Sequence, residues 1–193
     1  MTTLILGLLL FLGVHSVRMF ADTWRSAQIA RIGELRWKGV YSLFSAAGLG
    51  LIIWGYGLAR AGDVVLWAPP TPMRHLAAGL TLPAFILLVA AYLPGSHIKA
   101  RVGHPMVAGV KLWALAHLLA NGNRADVVLF GAFLAWAIAN FIVARRRDRL
   151  AGRSYPVCGW TRDATVAAVG ALAWAVFALW GHAWLIGVAP FRV

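Results

Sequence analysis

Apolar residues in this chain fall into six runs, and nearly all the charge lies between them. The runs extend from Thr3 to Phe20, Gly39 to Ala59, His75 to Leu93, Pro105 to Asn121, Val127 to Ala144 and Ala164 to Val188. Each holds about 17–25 residues, enough for a helix to cross a hydrocarbon core of roughly 30 Å. None alternates apolar with polar positions, which sets aside the strands of a membrane barrel. Breakers sit where helices should stop: Pro94-Gly95 after the third run, Asn121-Gly122 after the fourth and Pro190 after the sixth. Pro105 opens the fourth run, a favourable first-turn position because its missing N–H has no partner there anyway. The pattern predicts an all-α, polytopic membrane helix bundle with about six transmembrane helices, forming a single domain over residues 1–193 with no internal repeat. The first and fourth runs are the least uniform, since each contains a His and a cation.

Composition agrees. Hydrophobic residues make up 61% of the chain and charged residues 12%, against about a quarter charged in soluble domains. Only six carboxylates are present, too few to cover a water-facing surface, so membrane lipid is the main partner. The net charge of +12 does not point to nucleic acid, because the cations separate apolar runs instead of lining one polar element. If all six runs cross, thirteen cations fall on one side (Arg18, Arg25, Arg31, Arg36, Lys38, Lys99, Arg101, Arg145, Arg146, Arg147, Arg149, Arg153 and Arg162) and four on the other (Arg60, Arg74, Arg124 and Arg192). Cytoplasmic loops are the ones rich in Lys and Arg, so both termini are expected outside, in a bacterial inner membrane. The N-terminal run lacks a basic leader and a clear cleavage site, and reads as a retained helix. Cys158 is the single cysteine, which excludes an intramolecular disulfide. The stretch from Asp22 to Lys38 mixes Trp24, Ile29, Ile32, Leu35 and Trp37 with charges, and reads either as an amphipathic helix in the headgroup layer or as a basic loop.

Candidate chemistry lies with the groups that lipid tolerates least. Ionisable side chains within spans are rare and face the bundle interior. Here they are His15 and Arg18 on the first run, His104, Lys111 and His117 on the fourth, and His182 on the sixth; His75 and His97 fall at helix ends. Imidazole in an apolar bundle suits haem iron or another transition metal, not magnesium or calcium, which take oxygen ligands. Depth sorts the histidines into an inner pair, His15 with His104, and an outer pair, His117 with His182, since His117 lies roughly 20 Å along the helix from His104. Trp113, His117 and Asn121 recur every four residues and share one face. Lys111 in mid-span calls for an anionic partner such as a haem propionate or a lipid phosphate, or else it snorkels; the nearest carboxylates, Asp22, Asp126, Asp148 and Asp163, fall at helix ends. The alternative for each His is a hydrogen bond to a neighbouring helix.

Gly13-Val14-His15-Ser16-Val17-Arg18, Tyr41-Ser42, and His104-Pro105 followed by Leu112-Trp113-Ala114-Leu115-Ala116-His117-Leu118-Leu119-Ala120-Asn121-Gly122 together resemble the NnrU family over nearly the whole chain, as does the Arg145-Arg146-Arg147-Asp148 cluster. The resemblance implies a link to denitrification and nitric-oxide metabolism. That family is similar to the zeta-carotene isomerases, membrane enzymes that hold haem b through histidines. The resemblance then implies His15 as a haem-ligand histidine and His104 and His117 as two further functional histidines. Read with the residues themselves, haem b is expected between the first and fourth helices near the cytoplasmic face, with His15, His104 and His117 as candidate metal ligands, Lys111 and Arg18 as propionate or anion contacts, and Trp113 and Asn121 beside the cofactor. Haem b is the expected cofactor, with a small apolar substrate or nitric oxide as a further partner. One departure is plain: the isomerases are expected to carry a further His on the next helix, and Val127 to Ala144 has none. His104-Pro105 with Tyr155-Pro156 also resembles membrane methyltransferases of the isoprenylcysteine type, which bind S-adenosylmethionine, but no Glu follows Glu34 to complete such a site. A non-enzymatic membrane scaffold is the third reading.

Overall fold

Hydrocarbon offers no partner for a backbone N–H or C=O, so an apolar run in lipid must satisfy its own backbone as a helix. The computed structural model describes residues 1–191, and among these the chain is helical with no strand longer than an isolated bridge. The helices are α1 (Thr2–Phe20), α2 (Asp22–Ile32), α3 (Glu34–Arg60), α4 (Thr71–Tyr92), α5 (His97–Val102), α6 (Pro105–Ala120), α7 (Arg124–Leu150), α8 (Trp160–Val176) and α9 (His182–Ile186). A π-helical turn, Phe177–Gly181, joins α8 to α9 into one rod. Five helices are long and apolar enough to cross a membrane: α1, α3, α4, α7 and the α8–α9 rod. The sixth apolar helix, α6, has 16 residues, about 24 Å at 1.5 Å per residue. It stops early because Gly122 lies directly against the Trp67 carbonyl, where no side chain would fit, and its own carbonyl accepts the Leu66 N–H at 2.8 Å.

Neighbours run α3, α1, α7, α6, α4, α8 across the bundle. One end gathers the thirteen-cation side, where Cys158 N–H donates to the Gly95 carbonyl at 2.8 Å. The other end ties the segment after α3 to the start of α7: Val65 bridges Asn123, and Asp63 Oδ2 caps the Ala125 N–H at 2.8 Å. Arg192, assigned to this side by charge, lies outside the described residues.

Lipid tails are as apolar as Leu, so small residues that let backbones touch decide where membrane helices associate. A Cβ on Gly7 would fall 2.6 Å from Ile52 N, and one on Gly48 2.8 Å from Phe11 N; Gly55 meets Leu4 in the same way. These contacts seat α1 on α3 over a buried layer of Leu4, Leu8, Ile52, Leu129 and Phe130. Gly109 meets the Ala84 carbonyl, joining α6 to α4, and Gly170 meets Ile86, joining α8 to α4. Large apolar side chains such as Leu9, Leu43, Ile53, Trp54, Ile142 and Leu172 point outward, as a lipid-facing surface requires.

Three features differ from the sequence reading. Residues Asp22–Ile32 form a separate helix with no buried side chain, and Gly33 at φ +86° breaks it from α3, which takes up Glu34 to Lys38. Trp24 and Trp37 meet across this break with ring centroids 5.7 Å apart. The short α5 had no apolar run to announce it, and the sixth run is interrupted by the π turn.

Gly48→Val is expected to destabilise the bundle by about 1–3 kcal/mol through overpacking. Gly57→Val, where nothing lies within 4 Å, is expected to leave stability near wild type. The check is the temperature at which each protein loses its monodisperse peak in mild detergent.

Candidate functional site

Toward the cation-poor end the helices part around a cavity of about 470 Å³ bounded by α4, α6, the α8–α9 rod and the returning segment 188–191. Phe85, Trp113, Trp174 and Phe177 give it aromatic walls, and His117, His182 and Asn121 put polar atoms on it. Trp174 donates its indole N–H to Thr81 Oγ1 at 3.0 Å, and Thr81 donates in turn to the Ala78 carbonyl at 2.9 Å. No polar group of that wall pair is left open in lipid.

The two histidines are set in the same way. His117 Nδ1 lies 2.8 Å from the Trp113 carbonyl one helical turn back, and His182 Nδ1 lies 2.7 Å from the Val188 carbonyl. A carbonyl only accepts, so in each ring Nδ1 carries the proton and Nε2 keeps a free lone pair. The centroids are 6.4 Å apart with 21° between the planes. Phe130 stacks on His117 at 4.6 Å and Trp113 tilts against it at 5.1 Å, while Phe177 stands edge-on to His182 at 5.8 Å.

The face that carries Trp174, Phe177 and Ala178 continues at Gly181 and His182. The wider turn over Phe177–Gly181 lies directly before His182, which lines the cavity with Ala178 one turn back. Such single-turn insertions are frequent at functional sites. Gly187, at φ +76°, then reverses the chain so that the Val188 carbonyl meets His182.

The residues singled out from sequence divide. Trp113, His117 and Asn121 line the cavity together, as their spacing implied, and Asn121 Nδ2 donates to the His117 carbonyl at 2.9 Å. His15 sits instead between α1, α3 and α7, stacked on Phe11 at 4.2 Å and edge-on to Tyr41 at 5.2 Å, with Nδ1 2.6 Å from the Phe11 carbonyl. Arg18 lies at the cation-rich end, 4.0 Å from Asp22. Lys111 points its ammonium at the face of Phe141, 3.7 Å from the centroid, a cation–π contact in place of the anion expected for it. His15, His104 and His117 are not brought together, and among the described residues no three His, Cys, Asp or Glu side chains converge as a metal site. Sequence reasoning left Arg74, Phe85, Trp174 and Phe177 out of the site. Nothing in their local pattern marks them, because the cavity is made by helices distant in sequence.

His104 belongs to a different cluster. Its Nε2 lies 2.9 Å from Asp148 Oδ2, off the line of a well-aligned hydrogen bond. Tyr155 donates its hydroxyl to the same oxygen at 2.6 Å. Burial and this carboxylate raise the Tyr155 hydroxyl above its ordinary range, so it stays a donor. Asp148 stands at a helix end as expected, yet is only 5% exposed. It provides the acid beside His104 that the methyltransferase resemblance lacked, but the oxygen facing His104 is already taken by Tyr155. A second His–Asp pair pins the same end: Asp163 accepts His97 Nδ1 at 2.7 Å and the Ile98 N–H at 3.1 Å, with the His97 ring stacked on Trp160. Asp148→Asn is therefore expected to cost on the order of 2–3 kcal/mol by leaving buried partners unpaired. Adding His104→Ala is expected to cost little more, read as a double-mutant cycle on thermal stability in detergent.

These features define a polytopic α-helical membrane protein with a two-histidine cavity at one end and His–Asp clasps at the other. The chain belongs to the NnrU family: the family model described as NnrU protein matches residues 3–190. No curated protein and no solved structure matches it significantly.

Proposed function

We propose that this NnrU protein binds haem b in the cavity between α4, α6 and the α8–α9 rod, with His117 and His182 as the iron ligands. The observation that carries the reading is the pair of rings, each with Nδ1 tied to a backbone carbonyl and Nε2 free. Metal-ligating histidines are held this way, their second nitrogen donating to an oxygen that fixes tautomer and orientation. The two rings lie near-parallel on one cavity with centroids 6.4 Å apart, close enough for both imidazoles to serve one bound group. Two protein ligands leave a bare ion under-coordinated, whereas a porphyrin brings four nitrogens of its own. The aromatic walls exclude water and offer flat faces to a flat ligand.

A haem held there supplies one-electron chemistry and an iron that binds nitric oxide, which fits the nitrogen-oxide association of the family resemblance. His117 is backed by Phe130 and Trp113 on continuous helices, while His182 hangs on a five-residue turn and a chain reversal. Of the two, His182 would be the less firmly held imidazole were haem bound. In this reading the thirteen-cation end faces the cytoplasm of a bacterial inner membrane, and the cavity and both termini face the opposite side. His15 serves as packing among α1, α3 and α7.

The test is the optical spectrum of protein purified in mild detergent from haem-replete cells, before and after dithionite reduction. A Soret band that shifts on reduction is expected, with His117→Ala and His182→Ala each lowering haem occupancy about tenfold or more and His15→Ala retaining it. A folded wild-type protein without a chromophore, or loss of the band with His15→Ala alone, overturns the assignment.

A further inference from the structure

Arg74 stands in the first turn of α4, and its side chain lines the same cavity. Two other cations of that end are engaged: Arg60 lies 5.6 Å over the Tyr56 ring, and Arg124 Nε lies 3.6 Å from Asp63. Arg74 has no ion pair, hydrogen bond or ring partner among the described residues. Its position is also unfavourable locally. The N-terminal end of a helix is electropositive and prefers acids, yet the first turn of α4 contains no acidic residue to offset the charge. The rest of the cavity wall is apolar or neutral, apart from the two imidazoles.

We propose that Arg74 binds a carboxylate of the cavity's ligand, so that the site selects an acidic amphiphile; for haem b this group is a propionate. The inference rests on the haem reading and extends it. A guanidinium presents parallel N–H donors that match a carboxylate, and Arg74 is exposed, so it can meet a carboxylate at the edge of the cavity. Arg74 and both imidazoles share one cavity with Phe85, Trp113, Trp174 and Phe177, so these residues would hold the acidic edge and the apolar body of such a ligand. Lys111 and Arg18, the cations that the sequence offered for this task, do not line the cavity.

The experiment compares haem b with its dimethyl ester, which keeps the ring and iron but has no carboxylate. Haem-free protein in detergent is titrated with each, following the Soret band, for wild type, Arg74→Gln and Arg74→Lys. Wild type is expected to bind the free acid about tenfold more tightly than the ester, the worth of one charge-assisted hydrogen bond. Arg74→Gln is expected to bind both alike, near the wild-type affinity for the ester, and Arg74→Lys to keep part of the preference. Equal binding of the two porphyrins by wild type, or a preference that survives Arg74→Gln, overturns the role of Arg74 while leaving the haem site intact. If wild type binds neither porphyrin, the haem reading itself fails and the role of Arg74 with it.

Discussion

A polar group in hydrocarbon must find its partner inside the chain, and most of this structure follows from that constraint. It makes every apolar run a helix. It also explains why His15, His117 and His182 each aim Nδ1 at a carbonyl, two of them at their own preceding turn. Ser16 does the same toward the Leu12 carbonyl and then accepts the Trp136 indole N–H. The two buried carboxylates of α7 obey it as well, Asp126 taking the Tyr56 hydroxyl and Asp148 that of Tyr155. A side effect is chemical. Tying one ring nitrogen to a carbonyl leaves the other as a free lone pair in all three rings, and two of them, His117 and His182, share one cavity.

The cavity has a packing cause. Gly109 against Ala84 and Gly170 against Ile86 draw α6 and α8 tightly onto α4 in the middle of the bundle. One turn and more beyond those contacts, Trp113 on α6 and Trp174 and Phe177 on the α8–α9 rod are too large to allow the same approach, so the three helices diverge toward the cation-poor end. The opposite end is closed by the pairs of His97 with Asp163 and His104 with Asp148.

Much of this was legible in the sequence because it rests on periodicity and cost. The helical class, the boundaries marked by Pro105 and Pro94-Gly95, the shared face of Trp113, His117 and Asn121, and the matched depth of His117 and His182 all follow from length and spacing. What escaped was set by contacts across the fold. His104 carries the same cost as His117, and only the structure shows that Asp148 answers it. Lys111 called for an anion and met the face of Phe141, a partner with no charge to find by inspection. The π turn before His182 has no local signature, and Arg74 reads from the sequence as one more loop cation.

The central claim is that His117 and His182 act together on one iron. It is tested most directly by electron paramagnetic resonance of the ferric protein in lipid nanodiscs. The account predicts a low-spin signal of iron held by two imidazoles, converted to high spin when His182 is replaced by Ala. A high-spin wild-type signal, or a low-spin signal that persists without both histidines, would contradict it.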